Sequence, residues 1–295
     1  MQVVIIGAGA IGQALGKIIK EKRGSTVVFW DAAPGKVKRQ LPLNASLAAA
    51  DFVFLCLPSF VLREAVKLIR PHLRRRTIVV AVSKGIEANT NLTVDRLLAK
   101  ILPFRQPFVL LFGPMLAAEL ALGSCGHAVA ASASRASLPK IAALFSGTRL
   151  RLKKSYDLRG VALCGALKNV YAIGLGIVAA LEAGDNVRGA YIAAAANEMR
   201  AIVRLLGGQA ETVNGYAGLA DLVATGLSAN SRNRQVGCAL GSRGRCQGSE
   251  GSRAAVSIAD LLGGKHRRFP VFHALVRILG SGAEPEAVLA AVCAS

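Results

Sequence analysis

Hydrophobic positions follow two different rhythms along this chain. In the first half, short apolar runs of strand length alternate with segments of helical period. The runs at 2–6, 26–30, 52–57, 77–82 and 107–112 predict buried strands, and shorter strands are expected near 127–132 and 149–152. Helices are expected from Ala10 to about Lys22 and over 59–70, about 91–100 and 137–146. The polar stretch Ala32–Asn44 holds Pro34 and Pro42 and predicts a loop. Alternating strands and helices predict an α/β fold with a doubly wound, mostly parallel sheet. Past about Tyr156 only helical period remains, broken by glycine-rich turns, so an all-α second domain is expected. The boundary falls near residue 154, giving domains 1–154 and 155–295. Segment 241–252, GSRGRCQGSEGS, reads as a mobile surface loop.

Composition narrows the class. A chain of 295 residues with 53% hydrophobic and 18% charged residues is globular and long enough for two domains. Aromatics at 5% favour helices and buried parallel strands over a sandwich. The long apolar runs 161–181 and 190–206 are interrupted by Lys168, Asn169, Asn197, Glu198 and Arg200, so no membrane span is expected. Met1 leads straight into the first strand, so no signal peptide is expected. The six cysteines, at 56, 125, 164, 238, 246 and 293, show no CxxC pair and no metal spacing. A reducing cytoplasm is the simplest setting. The net charge of +20 reads functionally as a nucleic acid partner or an anionic substrate, and blandly as a basic proteome or a solvated surface. The clusters Arg74-Arg75-Arg76, Arg151-Lys153-Lys154 and Lys265-Arg267-Arg268 are dispersed and lack interleaved aromatics, so no nucleic acid partner is expected.

Chemistry enters through a few short motifs. Gly7-Ala8-Gly9-Ala10-Ile11-Gly12 fits GxGxxG between a strand and a helix, and Asp31 ends the next strand. That context points to a dinucleotide: tight turn, close approach to a pyrophosphate, helix–strand contact, and a carboxylate for the ribose. The alternative is a glycine-rich turn that binds nothing. Ser83-Lys84-Gly85-Ile86-Glu87 and Phe112-Gly113-Pro114 each follow a strand, on the edge of an open sheet where ligands bind. Each could equally be a plain solvated turn. Lys168 and Asn169 sit inside the apolar run VALCGALKNVYAIGLGIVAAL, where an ammonium is costly unless paired or used. A lysine reaching back to water is the bland reading. Asp221 in Gly218-Leu219-Ala220-Asp221-Leu222 is either a helix cap or a site carboxylate. Ser231-Arg232-Asn233-Arg234 is either surface or an anion site. Together, a lysine, a carboxylate and a Ser-Arg-Asn triplet in a helical domain suit a small substrate bearing an anion and a hydroxyl. His72, His127, His266 and His273 lie outside these clusters.

In this order GAGAIG, SKGIE, FGP, GALKNVYAIGLGI, GLADL and SRNR resemble the NAD(P)-dependent sn-glycerol-3-phosphate dehydrogenase family, over nearly the whole chain and most specifically from Gly160 to Gly237. The resemblance implies a Rossmann domain followed by a helical domain like that of 6-phosphogluconate dehydrogenase. It implies reversible reduction of dihydroxyacetone phosphate to sn-glycerol 3-phosphate by hydride transfer with NAD or NADP, feeding glycerophospholipid synthesis, in a cytoplasmic homodimer. Carried over by motif, Lys168 is the general acid/base, and Lys84, Asn169 and Asp221 are its polar partners. Lys84, Gly113, Asn169, Ser231, Arg232 and Asn233 are implied on the substrate side. Gly7, Gly9, Ala10, Ile11, Gly12, Asp31, Lys84, Ala117, Arg232 and Glu250 are implied on the cofactor side. The chain departs from the family pattern in its short loop after the second strand, in Met115 where bacterial members usually have serine, in Ala10-Ile11 for a common Ser-Trp pair, and in Gly248-Ser249 before Glu250.

Asp31 favours NAD, since a 2′-phosphate would meet its charge, and Ala32 stands where an NADP-using member would carry arginine or histidine. Lys36, Lys38 and Arg39 on the following loop argue the other way. Two further readings stay open: the same fold acting on another small anionic 2-hydroxy compound, and a non-catalytic nucleotide-binding paralogue.

Overall fold

The structure of the chain is a computed structural model that describes residues 1–244 and 247–294. In chain order it runs β1 (Gln2–Ile6), α1 (Ala10–Lys20), β2 (Thr26–Trp30), α2 (Leu43–Leu47), β3 (Phe52–Leu55), α3 (Leu62–Ile69), β4 (Ile78–Ala81), β5 (Ile86–Glu87), β6 (Leu92–Thr93), α4 (Val94–Ile101), β7 (Phe108–Phe112), α5 (Ala117–Ala121), β8 (Gly126–Ala131), α6 (Ser137–Phe145) and β9 (Leu150–Ser155). Then come α7 (Leu158–Ala180), α8 (Gly184–Leu205), α9 (Asp221–Leu227), α10 (Arg232–Gly241), α11 (Glu250–Leu262), α12 (Pro270–Ser281) and α13 (Ala287–Cys293). The chain forms two compact units. One takes Met1–Lys84 and Val94–Leu158; the other takes Gly85–Thr93 and the chain from Arg159 on.

The first unit is the expected parallel α/β sheet. Its seven strands lie in the order β2-β1-β3-β4-β7-β8-β9, all parallel to their neighbours except β8 against β7. Strands β3 and β4 are buried at every position. Helices cover both faces of such strands, which explains apolar runs without alternation. On one face Ile5, Phe54, Val80 and Leu111 pack with Leu15 and Ile18 of α1 and with Leu138 and Ile141 of α6. Strand β9 is an edge, and its exposed Arg151, Lys153 and Lys154 discourage another chain from pairing there. One of the basic clusters thus has a structural reason. Three elements escape the hydrophobic pattern: α2, which begins inside the loop expected over Ala32–Asn44, α5 and the β5–β6 ribbon. All are too short to show a period, and the ribbon turns through Asn91 at φ 53°.

Among the described residues the second unit is helical apart from that ribbon. Helix α7 is its axis, buried at every residue from Gly160 to Val178. It is long and apolar enough to cross a membrane, yet its apolar window is wholly buried inside the protein. Such a run is what a core helix of a large helical domain looks like. Small residues let neighbours approach: a Cβ on Gly237 of α10 would collide with the Ile173 carbonyl of α7. The Arg159 guanidinium bonds the Thr93 hydroxyl, and Asn91 Nδ2 donates to Asp260 at 3.3 Å, so the ribbon is tied to this unit. The expected loop 241–252 is shorter than its composition suggests. Ser249 and Ser252 form a reciprocal capping box, and α11 begins at Glu250. Residues 245 and 246 of that stretch, Cys246 included, lie outside the described residues.

A buried carboxylate fastens α7, α8 and α12. Glu198 accepts hydrogen bonds from the Tyr171 hydroxyl and from the backbone N–H groups of Val271 and Phe272, each at 2.8 Å. It therefore satisfies orphan donors at the start of α12. Tyr191 donates to the Tyr171 carbonyl at 2.7 Å. Burial raises the Glu198 pKa above the ordinary glutamate range, against the lowering pull of its three donors. A carboxyl group with a raised folded-state value contributes stability that is present below its unfolded value and lost as pH rises through the raised one. Glu198→Gln does not titrate and matches the protonated carboxyl, each bringing a donor of its own to the three that converge there, so the two proteins are closest in stability at acid pH. Wild type should then lose stability relative to the variant as pH rises from the ordinary carboxylate range to neutrality. Urea unfolding at several pH values checks this; a wild type that gains on the variant toward neutrality contradicts the raised value.

Candidate active site

The first unit presents a nucleotide cradle built by sterics. Gly7 sits at φ 100°, and a Cβ there would lie 2.5 Å from the Cys56 carbonyl oxygen. A Cβ on Gly12 would collide with the Gly7 carbonyl, so the turn closes only with glycine at both ends. Gly9 is the opposite case. It is exposed, it caps α1, and nothing lies within 4 Å of where its Cβ would be. The first turn of α1 holds no acidic residue, so its N-terminal N–H groups remain suited to an anion. These residues fit a dinucleotide pyrophosphate. Ala10 and Ala117 line one hollow of about 430 Å³ beside this turn, together with Gln13 and Lys17. Ile11, one of the departures, packs against the sheet core.

Asp31 follows β2, and its carboxylate is drawn to the same turn. Oδ2 accepts from the Ala8 N–H at 2.7 Å and Oδ1 from the Ala33 N–H at 2.9 Å. Lys84 follows β4, and Gly113 follows β7. Lys84 Nζ donates to the Gly113 carbonyl at 2.7 Å, and a Cβ on Gly113 would collide with the His127 carbonyl. Met115 is turned into the hydrophobic core at 7% exposure, so replacing the family serine adds core volume there.

In the second unit Lys168, Asn169, Asp221 and Asn233 come together. Helix α7 carries Lys168 and Asn169 adjacent within its buried length. The five-residue π-helical turn Tyr216–Ala220 leads into α9 and presents Asp221 inward, 1% exposed. Asp221 is the first residue of α9, and Ala220 holds the cap position. Lys168 Nζ lies 3.4 Å from Asp221 Oδ1 and donates to Thr225 Oγ1 at 2.8 Å; Thr225 in turn donates to Asp221 Oδ1 at 3.3 Å. The ammonium is thus buried and partnered, and the reading of a lysine reaching to water is set aside. Thr225 was not anticipated, although its place one helical turn past Asp221 is a usable signal.

Beside this triad the Asn233 amide nitrogen donates to Asn169 Oδ1 at 2.8 Å, and its oxygen accepts from the Gly251 N–H at 3.1 Å. Gly251 has to be small, because a Cβ would strike the Asn169 carbonyl. Ser231 is the N-cap of α10 and accepts from the Arg234 N–H at 3.3 Å. Arg232, exposed at the first position of that helix, donates to the Gln247 carbonyl at 3.2 Å. Glu250 opens α11, half-buried.

The model of the NAD-dependent glycerol-3-phosphate dehydrogenase N-terminus matches residues 32–138, and that of its C-terminus matches residues 157–290. A glycerol-3-phosphate dehydrogenase, NAD(P)+, of Acidithiobacillus ferrooxidans is 35% identical over 87% of this chain and 76% of its own. The protein of that name from Sinorhizobium fredii is 34% identical over 94% of this chain and 91% of its own. The crystal structure of glycerol-3-phosphate dehydrogenase from Coxiella burnetii superposes with a TM-score of 0.84 at 28% identity, covering 98% of both chains. With both halves of the chain matched by the family's models and two relatives at 34–35% identity over most of the chain, this chain belongs to the NAD-dependent glycerol-3-phosphate dehydrogenase family.

Proposed function

We propose that the protein interconverts sn-glycerol 3-phosphate and dihydroxyacetone phosphate with NAD(P), and that Lys168 moves the proton. The observation that carries this reading is the buried Lys168–Asp221–Thr225 cluster. A buried ion pair contributes little to stability against apolar residues of the same volume, so its retention asks for a use. Oxidation removes a hydride from C2 and a proton from the 2-hydroxyl; reduction returns both. When bound, the nicotinamide cofactor accepts or supplies the hydride. Lys168 accepts the hydroxyl proton in one direction and donates it in the other. Asp221 and Thr225 fix the lysine nitrogen, and Asn169, held by Asn233, supplies a neutral polar neighbour.

Arg232 suits the substrate phosphate: it stands at the N-terminus of α10 and is exposed, and its planar fork can grip two phosphate oxygens. The Ser231 cap keeps that turn in place. Gly7, Gly9, Ala10, Ile11, Gly12 and Asp31 serve the cofactor, with Ala117 at the same hollow; Glu250 is the later cofactor contact that the family pattern implies. Lys84 holds the Gly113 peptide where the two strand ends meet, and we assign both to the ligand side of the sheet. NAD is the preferred cofactor on this reading, because the Asp31 carboxylate repels a 2′-phosphate. Glycerophospholipid synthesis is the process served, and a cytoplasmic homodimer the expected form. A reducing compartment suits the thiols: the five described cysteines form no disulfide, and burial pushes Cys56 up to about 12.

Following NADH absorbance with dihydroxyacetone phosphate tests the activity itself; cofactor binding without turnover on any ketone phosphate would reject it. Two variants test the roles. Lys168→Ala would leave Asp221 buried without its partner, so Lys168→Arg is the cleaner probe: the charge stays, but guanidinium does not give up its proton. It should fold and bind cofactor yet lose about 10²–10⁴-fold in kcat. Near-normal turnover would remove Lys168 from proton transfer. Arg232→Ala should lower kcat/KM by roughly two orders of magnitude, about 3 kcal/mol of charge-assisted bonding, and discriminate less between phosphorylated and unphosphorylated ketones. Unchanged kinetics would take Arg232 out of the site.

A further inference from the structure

We infer that Gln40 is a positioning residue that sets the choice between NAD and NADP by holding Asp31. This rests on the NAD reading given above. Strand β2 is the edge of its sheet, so the main chain just beyond it has no strand on its outer side. Gln40 fills that place. Its Oε1 accepts from the Asp31 N–H at 2.8 Å, and its Nε2 donates to the Asp31 carbonyl at 3.0 Å. The side-chain amide thus pairs with Asp31 as a neighbouring strand would. With the main chain clasped, the carboxylate is fixed from the other side by the N–H groups of Ala8 and Ala33.

Two consequences follow for a nucleotide. An ionised carboxylate has about four acceptor positions, and the two backbone bonds use half of them. The remainder suit a pair of neighbouring hydroxyls and oppose a phosphate. The clasp also closes the short loop carrying Lys36, Lys38 and Arg39, all exposed, with Arg39 held at φ 51° next to Gln40. A closed loop keeps these cations from following an anion freely. Without the clasp, Asp31 is free to turn aside and the basic loop to fold toward a 2′-phosphate. Gln40 therefore acts through Asp31 and through the loop, with no contact of its own to the nucleotide required.

The test is fluorescence titration of NADH and NADPH with wild type, Gln40→Met, Asp31→Ser and the double variant, at low and moderate salt. Gln40→Met keeps the length of the side chain and removes both hydrogen bonds. It should weaken NADH binding while leaving or improving NADPH binding, so that the wild-type preference for NADH shrinks about tenfold. In the Asp31→Ser background the same change should shift the ratio less than it does in wild type, because only the route through the loop is left, the non-additivity expected of coupled residues. Equal losses for both cofactors, or an unchanged ratio, would overturn the role of Gln40 while the NAD reading stands. A tenfold wild-type preference for NADPH that persists in salt would overturn both.

Discussion

Lys168 and Asp221 are ionisable groups that the second unit buries almost completely, and its design turns on keeping them side by side. Neither is tolerable alone in such a place. An unpaired ammonium or carboxylate inside apolar surroundings costs several kcal/mol, roughly the whole margin of a folded domain. The pair is made tolerable by Thr225, whose hydroxyl accepts from one partner and donates to the other. Each element that delivers these groups therefore has to be fixed in position, which is a stronger demand than packing alone makes.

The packing around α7 meets that demand in two ways. On one side small residues bring α10 and the start of α11 against its backbone, where a single added Cβ at Gly237 or Gly251 would strike a carbonyl. On another, the Glu198 carboxylate and the two tyrosines, Tyr171 and Tyr191, fix α7 to α8 and α12 by hydrogen bonds. Tyr171 stands one turn beyond Lys168, so the network locks the rotation of the helix that aims the lysine. Apolar contacts fill space but leave a helix some freedom to slide or rotate; directional bonds at a buried site remove it. The helix that an apolar count would send to a membrane is held this tightly around the buried Lys168–Asp221 pair.

The sheet was legible because buried parallel strands are continuous apolar runs, and the runs at 2–6, 26–30 and 107–112 stand out between helical stretches. What escaped notice was short or local. The β5–β6 ribbon has two residues in each strand, fewer than any periodicity can register. Ser249 and Ser252 looked like loop composition, yet the same residues make a helix start when they face each other's backbone. At the site, Lys168 was visible because a charge in an apolar run contradicts its surroundings. Thr225 was not, because a threonine in a helix contradicts nothing. The clasp by Gln40 was equally silent: its partners are main-chain atoms, which no pattern of side chains displays.

The departures from the family pattern look different once their surroundings are known. Met115 in place of serine is a core residue, packed with Leu120 and Ala128 in the first unit. A longer apolar side chain in that position adds burial, about 0.8 kcal/mol for each methylene if it fits without strain. Ile11 likewise rests against the core, where a larger ring would need more room. Gly248-Ser249 gives α11 a cap, so the change before Glu250 exchanges apolar contact for a satisfied backbone donor at Ser252, with the Ser252 hydroxyl returning the bond to the Ser249 N–H. The short loop after β2 is the departure with consequences for binding. On the cofactor reading proposed above, fewer residues between strand and helix leave less chain to wrap the adenosine end, so recognition there falls to few groups held firmly. A carboxylate with both oxygens already bonded to backbone, and a main chain clasped by one glutamine, is what such economy requires.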